Sequence, residues 1–297
     1  MPESSMTDDL RVVFQSSNRQ ACADRALVLT SLQIPFEIVV DVSSCALVVP
    51  ADYSARAMDQ LIRYDEENPP YAPPVKNTIV YQDSGPGVLA YVIVVCVVAG
   101  LAARSMFGQD WIAAGRIDGV LVRSGELWRT ITALTLHADL RHLAGNLLFG
   151  SLFGFFAGRL LGPGVAWLTI VLAGASGNAL NTLLLESTHR AIGASTAVFA
   201  ALGLIAGFVW RGKLMVQDRW AYRVGPIVGG FALLMYTGTG GPNTDIGAHL
   251  MGFVCGMAGG MLLSPLQSRL AGKRLQTNAA ILTCMLIIVA WGLAFLA

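Results

Sequence analysis

Seven stretches of the chain are apolar and almost free of charge: Gly87–Ala103, Leu143–Ala157, Val165–Leu185, Ser195–Trp210, Val224–Tyr236, Ile246–Leu263 and Ala279–Ala297. Crossing ~30 Å of hydrocarbon takes ~20 helical residues; several runs approach that length and polar flanks extend the shorter ones. The pattern predicts seven membrane-spanning helices. Residues 8 to 68 read differently. Leu10–Phe14 is a β-rich run, and Arg19–Leu32 places Cys22, Ala26, Leu29 and Leu32 at helical spacing. Phe36–Val42 and Cys45–Val49 read as strands joined through Ser43-Ser44, and Ala55–Tyr64 as a helix with Ala57, Met58, Leu61 and Ile62 inward. A small soluble α/β (βαββα) domain is expected over 1–68, an accessory unit because nothing in it resembles a catalytic cluster. Pro69, Pro70, Pro73, Pro74 and Pro86 make 69–86 a semi-rigid spacer. A six-helix core is expected over 87–263, then a connection and a seventh helix over 264–297.

Composition adds the class. With 54% hydrophobic and 13% charged residues and a mean hydropathy of +0.58, the chain is too apolar for a soluble globule of 297 residues. We expect a polytopic α-helical membrane protein. The first 80 residues hold no apolar run long enough for a cleavable signal. The opening MPESSMTDDL is acidic where a mitochondrial presequence is Arg-rich, so the first span is expected to act as an uncleaved anchor. Five scattered cysteines without CxxC spacing give no disulfide framework and no metal site. A net charge of +1 leaves no nucleic-acid footprint.

Basic residues set the orientation. Arg211, Lys213, Arg219 and Arg223 follow the fourth span, and Arg269, Lys273 and Arg274 follow the sixth. Both connections lie on one side, which the positive-inside rule makes cytoplasmic. The third and fifth connections are poor in Lys and Arg. The first is long, with Arg104, Arg116, Arg123 and Arg129 interleaved with Asp110, Asp118 and Glu126, and weighs less. The amino terminus is then cytoplasmic and the carboxyl terminus external.

Chemistry enters at Ile192–Gly207, where Ser195 opens an apolar helix. Unpaired N–H groups at a helix start suit a nucleophile that must generate an oxyanion, although serine is also a common cap. Of four histidines, His142 and His249 fall at or inside predicted spans, and His137 and His189 just outside. Ionisable groups at membrane depth are costly and mark function by default, the alternative being hydrogen-bonded glue between helices. His142 and Asn146 share a helical face continued by Gly150, Gly154 and Gly158. Ser195 shares one with Phe199, Gly203 and Gly207, and His249 with Gly252, Gly256 and Gly260. Glycine at four-residue intervals lets helices approach closely. In the assigned topology all four polar residues lie within about two turns of the external surface. A Ser–His dyad follows: His249 takes the Ser195 proton and returns it to the leaving amine, while His142, Asn146 and the Ser195 N–H hold the oxyanion. Phe199 either packs on the His249 ring or is plain core. Asp245, four residues before His249, reads as a helix cap rather than a third triad member.

These pieces carry a resemblance. ELWRTITALTLH with Trp128-Arg129, HADLRHLAGN with His137, His142 and Asn146, GAST with Ser195, and GAHLMGFVCG with His249 resemble the rhomboid intramembrane serine proteases from Glu126 to about Leu263. The resemblance implies a six-helix rhomboid-like core, here with a seventh helix, and the Ser–His dyad. It also implies cleavage of membrane-protein substrates, single-span or polytopic, within the lipid bilayer near its external face, without metal or cofactor. His137, Phe199, Trp128 and Arg129 are supporting candidates, and a bacterial cytoplasmic (inner) membrane is the expected location. The chain departs from the family's GxSG at Thr196. A literal GASG, Gly174 to Gly177, offers Ser176 as a rival nucleophile, but ~16 Å deep and away from His249, so it reads as helix packing. Thr237–Gly247, rich in Gly and Pro, can supply a cap over the site, and the short fifth span could move aside to admit a substrate helix. The rivals are a catalytically silent relative that binds transmembrane clients, favoured by Thr196, and a channel, hinted at by Ser176, Asn178 and Asn181.

Overall fold

The computed structural model describes residues 9–41, 43–68, 81–184, 189–212, 224–225, 227–230, 232 and 245–297. The chain divides near Pro74 into two compact units. The first contains β1 (Leu10–Ser16), α1 (Arg19–Ser31), β2 (Glu37–Val40), β3 (Cys45–Pro50) and α2 (Ala51–Glu67). Its antiparallel sheet has the order β1-β3-β2, with Phe14 opposite Leu47 and Val40 opposite Cys45. Asn18 starts α1 by accepting a hydrogen bond from the Gln20 N–H, a local bond that a short polar side chain makes readily. Ala26, Leu29, Ile34, Leu47, Val49, Ala57 and Leu61 form the core. Met58 and Ile62, expected inward, are 49% and 56% exposed. Three short strands cover only a narrow stripe of α2, and Ala57 and Leu61 fill it.

The second unit contains helices that the apolar runs anticipate but do not delimit. Six helices among the described residues are long and apolar enough to cross a bilayer. They are α3 (Gly85–Ala103), α7 (Leu140–Leu161), α8 (Pro163–Leu184), α9 (Ser195–Gly212), α10 (Ile246–Leu263), continued by the short α11 (Gln267–Leu270), and α12 (Lys273–Leu296). Leu89, Ile93 and Val97 on α3 and Ile281, Ile288 and Leu293 on α12 are exposed, a surface that only hydrocarbon makes favourable. The chain is a polytopic helical membrane protein. Of the expected fifth span, Val224–Tyr236, positions 226, 231 and 233–236 lie outside the described residues.

Caps explain the altered boundaries. α7 starts three residues before its apolar run because Asp139 accepts from the His142 N–H at 2.8 Å. Pro86, counted with the spacer, lies in the first turn of α3, where a missing N–H costs nothing. The connection before α7 is folded rather than extended: α4 (Trp111–Gly115), β4 (Ile117–Asp118), α5 (Gly119–Arg123) and α6 (Arg129–Thr132).

Glycines set the central contact. A Cβ at Gly252, Gly256 or Gly260 of α10 would overlap the carbonyl of Thr196, Ala200 or Leu204, and one at Gly203 or Gly207 of α9 would overlap that of Phe253 or Met257. The two backbones therefore touch along three turns, the close approach that small residues permit in a membrane. Gly174 and Gly177 of the GASG segment likewise press on Ala197 and on the Gly252 backbone, and Ser176 is exposed on the far side.

The last helix is stitched to the others by one amide. Gln276 Oε1 accepts from Gly164 N and Val165 N at 2.8 and 3.1 Å, and Nε2 donates to Leu161 O and Leu270 O at 2.8 and 2.7 Å. The orphan groups at the α7–α8 corner are thus satisfied from a third helix. Further along α12, Trp291 packs against Trp111 and donates to Thr135 Oγ1 at 3.1 Å.

Candidate active site

Ser195 is the first residue of α9 and His249 lies one turn into α10. Because the two backbones touch one residue beyond Ser195 and three beyond His249, the side chains meet: Ser195 Oγ and His249 Nε2 are 2.7 Å apart. For the hydroxyl to donate, Nε2 must be the unprotonated nitrogen. His249 is 6% exposed, and Phe199, one turn along α9, lies against its ring with centroids 4.5 Å apart.

The approach to Ser195 is held from both sides. β5 (Arg190–Ala191) pairs with β4, Ile117 opposite Ala191 and Asp118 opposite Arg190, and the Gly119 N–H donates to His189 O at 2.9 Å. Arg190 Nε donates to Asp118 Oδ2 at 3.1 Å. Burial works to raise the Asp118 carboxyl, but the bond from Arg190 and the Leu121 and Val120 amides outweigh it and hold the group below its ordinary value. Gly193 then turns with φ +139°, a conformation that side chains resist, and its N–H donates to Ala133 O at 2.9 Å.

His142 faces this turn. The point a Gly193 Cβ would occupy is 2.8 Å from His142 Nε2 and 3.4 Å from Ser195 Oγ, so ring nitrogen, hydroxyl and turn converge. Asn146 is buried one turn on, but its amide donates to His142 O at 3.0 Å, and no contact joins it to Ser195 in this state. One amide hydrogen remains for a ligand. Tyr91 donates to Asn146 O at 2.7 Å and fixes that turn from α3.

His137 stacks edge-on against His142 with centroids 5.2 Å apart. Its ring nitrogens are buried without a hydrogen bond of ordinary geometry. Burial first, then His142, pushes it down to about 4, against weaker opposing pulls from the Thr135 backbone and Asp139. Arg129 does not reach the dyad. It is buried in the first connection, paired with Glu126 at 2.6 Å and donating to Ala113 O and Arg116 O at 2.9 and 3.1 Å. Trp128 packs beside Trp111 and Leu136. Both residues shape the connection rather than touch Ser195.

A cluster the sequence did not single out lies at the head of α10. Asp245 caps the helix, accepting from Ala248 N at 2.9 Å, and the same carboxylate takes both bonds of Asn181 Nδ2 at 3.0 Å and His189 Nε2 at 2.7 Å. One carboxylate thereby ties the His249 helix, the third span and the segment leading to Ser195. The signal was present in the scarcity of histidine and in a third span holding Asn178 and Asn181; both asparagines now read as links, Asn178 donating to Thr130 O at 2.9 Å. Asp245, Asn178, Gly193 and Ser195 border a cleft of about 10 Å³, the room one water takes. Most of the expected cap, Thr237–Gly247, lies outside the described residues.

Residues 124–266 match the family model described as the Rhomboid domain. Rhomboid-like protease 1 of Toxoplasma gondii is 31% identical over 146 residues, covering 48% of this chain and 49% of the relative. Putative rhomboid protease YdcA of Bacillus subtilis is 32% identical over 145 residues, 48% and 68%. Inactive rhomboid protein 1 of Drosophila melanogaster is 29% identical over 168 residues, 54% and 11%. This chain spans about half the length of the Toxoplasma relative.

Proposed function

Since the chain belongs to the rhomboid family, we propose that it is an intramembrane serine endopeptidase using Ser195 and His249. The 2.7 Å contact between a hydroxyl and an imidazole from two separate spans carries the reading. His249 Nε2 takes the proton as Ser195 Oγ attacks a substrate carbonyl, then delivers it to the leaving amine. The carbonyl oxygen becomes an anion beside the unpaired N–H groups that open α9 and beside the His142 ring, with the free hydrogen of the Asn146 amide one turn away. Phe199 limits the tilt of the His249 ring.

The substrates are membrane-protein segments, cut near the face of the bilayer to which the starts of α7, α9 and α10 point. By the basic-residue pattern that face is external, the amino-terminal domain is cytoplasmic, and the location is a bacterial inner membrane. We read α12 as a seventh span following a fifth over Val224–Tyr236. The βαββα unit is an accessory domain.

A second reading, a silent relative that holds transmembrane clients, is favoured by Thr196 in place of the family's glycine and by likeness to an inactive relative. One experiment separates the two. The purified protein in detergent is treated with a fluorophosphonate probe and given a model transmembrane substrate. Labelling and cleavage that both vanish in Ser195→Ala and His249→Ala support the enzyme. No labelling of the folded wild type supports the silent relative, and labelling lost only in Ser176→Ala relocates the nucleophile.

A further inference from the structure

The amino-terminal half of α12 leaves a half-open apolar cavity of about 280 Å³ against α3, α8 and the start of α9, lined by Val94, Trp167, Thr277, Ala280, Cys284 and Ile287. We propose that it binds one acyl chain of an anionic phospholipid, whose headgroup sits at Lys273 and Arg274.

Shape selects a chain over a helix. From Gln276 to Ile287 the groove follows α12 for about 16 Å, half the hydrocarbon thickness of a bilayer and so the depth of one leaflet. An apolar cavity of about 150 Å³ takes a benzene ring, so this one has room for about a dozen carbons in file. A helix about 10 Å across does not fit. The lining is nearly all apolar, and Gln276 spends its amide on the α7–α8 corner, so little in the groove asks for a polar ligand.

Charge selects the lipid. Lys273, Thr277, Ala280, Cys284 and Ile287 are spaced four, three, four and three apart, so one helical face carries a lysine at its mouth and then the groove. Arg274 is its neighbour, and both side chains are exposed. They sit at the start of a 24-residue helix whose first N–H groups have no side-chain cap, which adds positive potential at the same point. Each basic residue near an anionic headgroup strengthens binding several-fold. Ala194 and Ala197, on either side of Ser195, also line the cavity.

The test is native mass spectrometry of the full chain released from nanodiscs of equimolar phosphatidylglycerol and phosphatidylcholine. Wild type should retain one phosphatidylglycerol. Ala280→Trp, which fills the groove, should lose it, and Lys273→Glu with Arg274→Glu should lower its retention about tenfold relative to phosphatidylcholine. Wild type retaining the two lipids equally overturns the headgroup assignment, and Ala280→Trp retaining phosphatidylglycerol as wild type does overturns the groove. A second measurement needs no bulky substitution. In a Cys96→Ala, Cys255→Ala background, long-chain phosphatidylglycerol should slow alkylation of Cys284 at least fivefold and the dihexanoyl lipid should not. Equal rates with and without the long-chain lipid also reject the site.

Discussion

Replacing Gly193 by alanine tests whether His142 serves the oxyanion. The new Cβ would lie 2.7 Å from His142 Cε1 and 2.8 Å from Nε2. Carbon contacts settle near 3.5 Å, so the ring must retreat by about 0.7 Å. The backbone adds strain of about 1–3 kcal/mol, because φ is +139°. A misplacement of ~1 Å at a reacting centre costs about 100-fold and loss of one oxyanion donor about 100- to 1000-fold, so a partial displacement should lower kcat between about 10- and 100-fold. Gly125→Ala is the matched control, with φ +116° and nothing within 4 Å of the added carbon. It carries similar strain without the collision. Cleavage of a transmembrane substrate, fluorophosphonate labelling rate and thermal midpoint are measured on both. Gly193→Ala should lose kcat and labelling together, whereas Gly125→Ala should lose only thermal stability. If both variants cleave alike, strain alone is being read and His142 does not hold the oxyanion.

Three other outcomes follow from the geometry. His137 sits near 4 in the folded protein, against about 6.5 when free, so between those values the unfolded chain carries a proton that the folded one lacks. Its contribution to stability, at most about 3 kcal/mol, is complete above pH ~6.5 and is lost as pH falls toward 4; thermal inactivation at pH 7 and pH 5 should differ less in His137→Gln than in wild type. Asp245→Asn keeps a good cap but exchanges the carboxylate oxygen facing His189 Nε2 for an amide, whereas Asp245→Ala loses the cap as well, about 1 kcal/mol more. Asn should lower kcat several-fold at an unchanged thermal midpoint and Ala should lower both; equal kcat for Asn and wild type would remove His189 from the positioning of Ser195. Gln276→Leu strands two N–H groups and one carbonyl at the α7–α8 corner and the Leu270 carbonyl at the end of α11, and should destabilise the fold by about 2–5 kcal/mol, read as a lowered midpoint in detergent.

Much of the helical architecture was legible because bilayer thickness imposes length and apolarity on each span. Gly85–Ala103 and Ile246–Leu263 begin and end within two residues of their apolar runs. α7 did not, because its first turn is polar and its start is set by the Asp139 cap, a local bond that hydropathy does not weigh. In the amino-terminal unit, spacing singled out Cys22, Ala26 and Leu29, which are buried, but also Met58 and Ile62, which are not. Spacing tells which residues share a face, not how much of that face a three-stranded sheet can cover. The candidate site was legible as four polar residues at one depth. What sequence could not weigh was which side chains already had partners: Arg129 is consumed by Glu126 and two carbonyls, and Asn146 gives one of its two amide hydrogens to the His142 carbonyl. The carboxylate joining Asn181 and His189 is 64 and 56 residues away from them in the chain, beyond any local pattern.

The same distinction bears on Thr196, the position that departs from the family's glycine. A β-branched residue directly after Ser195 would be expected to push α9 away from α10 and stretch the dyad. It is instead buried, and Gly252 is the reason: a side chain there would lie 2.9 Å from the Thr196 methyl and on its carbonyl, so the absent Cβ on α10 is the space into which Thr196 fits. Because this contact lies one residue from Ser195 and three from His249, it fixes the 2.7 Å separation through two backbones rather than through flexible side chains. Any residue larger than glycine at 252 would have to separate the helices at the point where the hydroxyl and imidazole meet, and the hydrogen bond is lost beyond about 3.5 Å. Access to chemistry at Ser195 is therefore decided on the other helix, at Gly252, as much as at Thr196 itself.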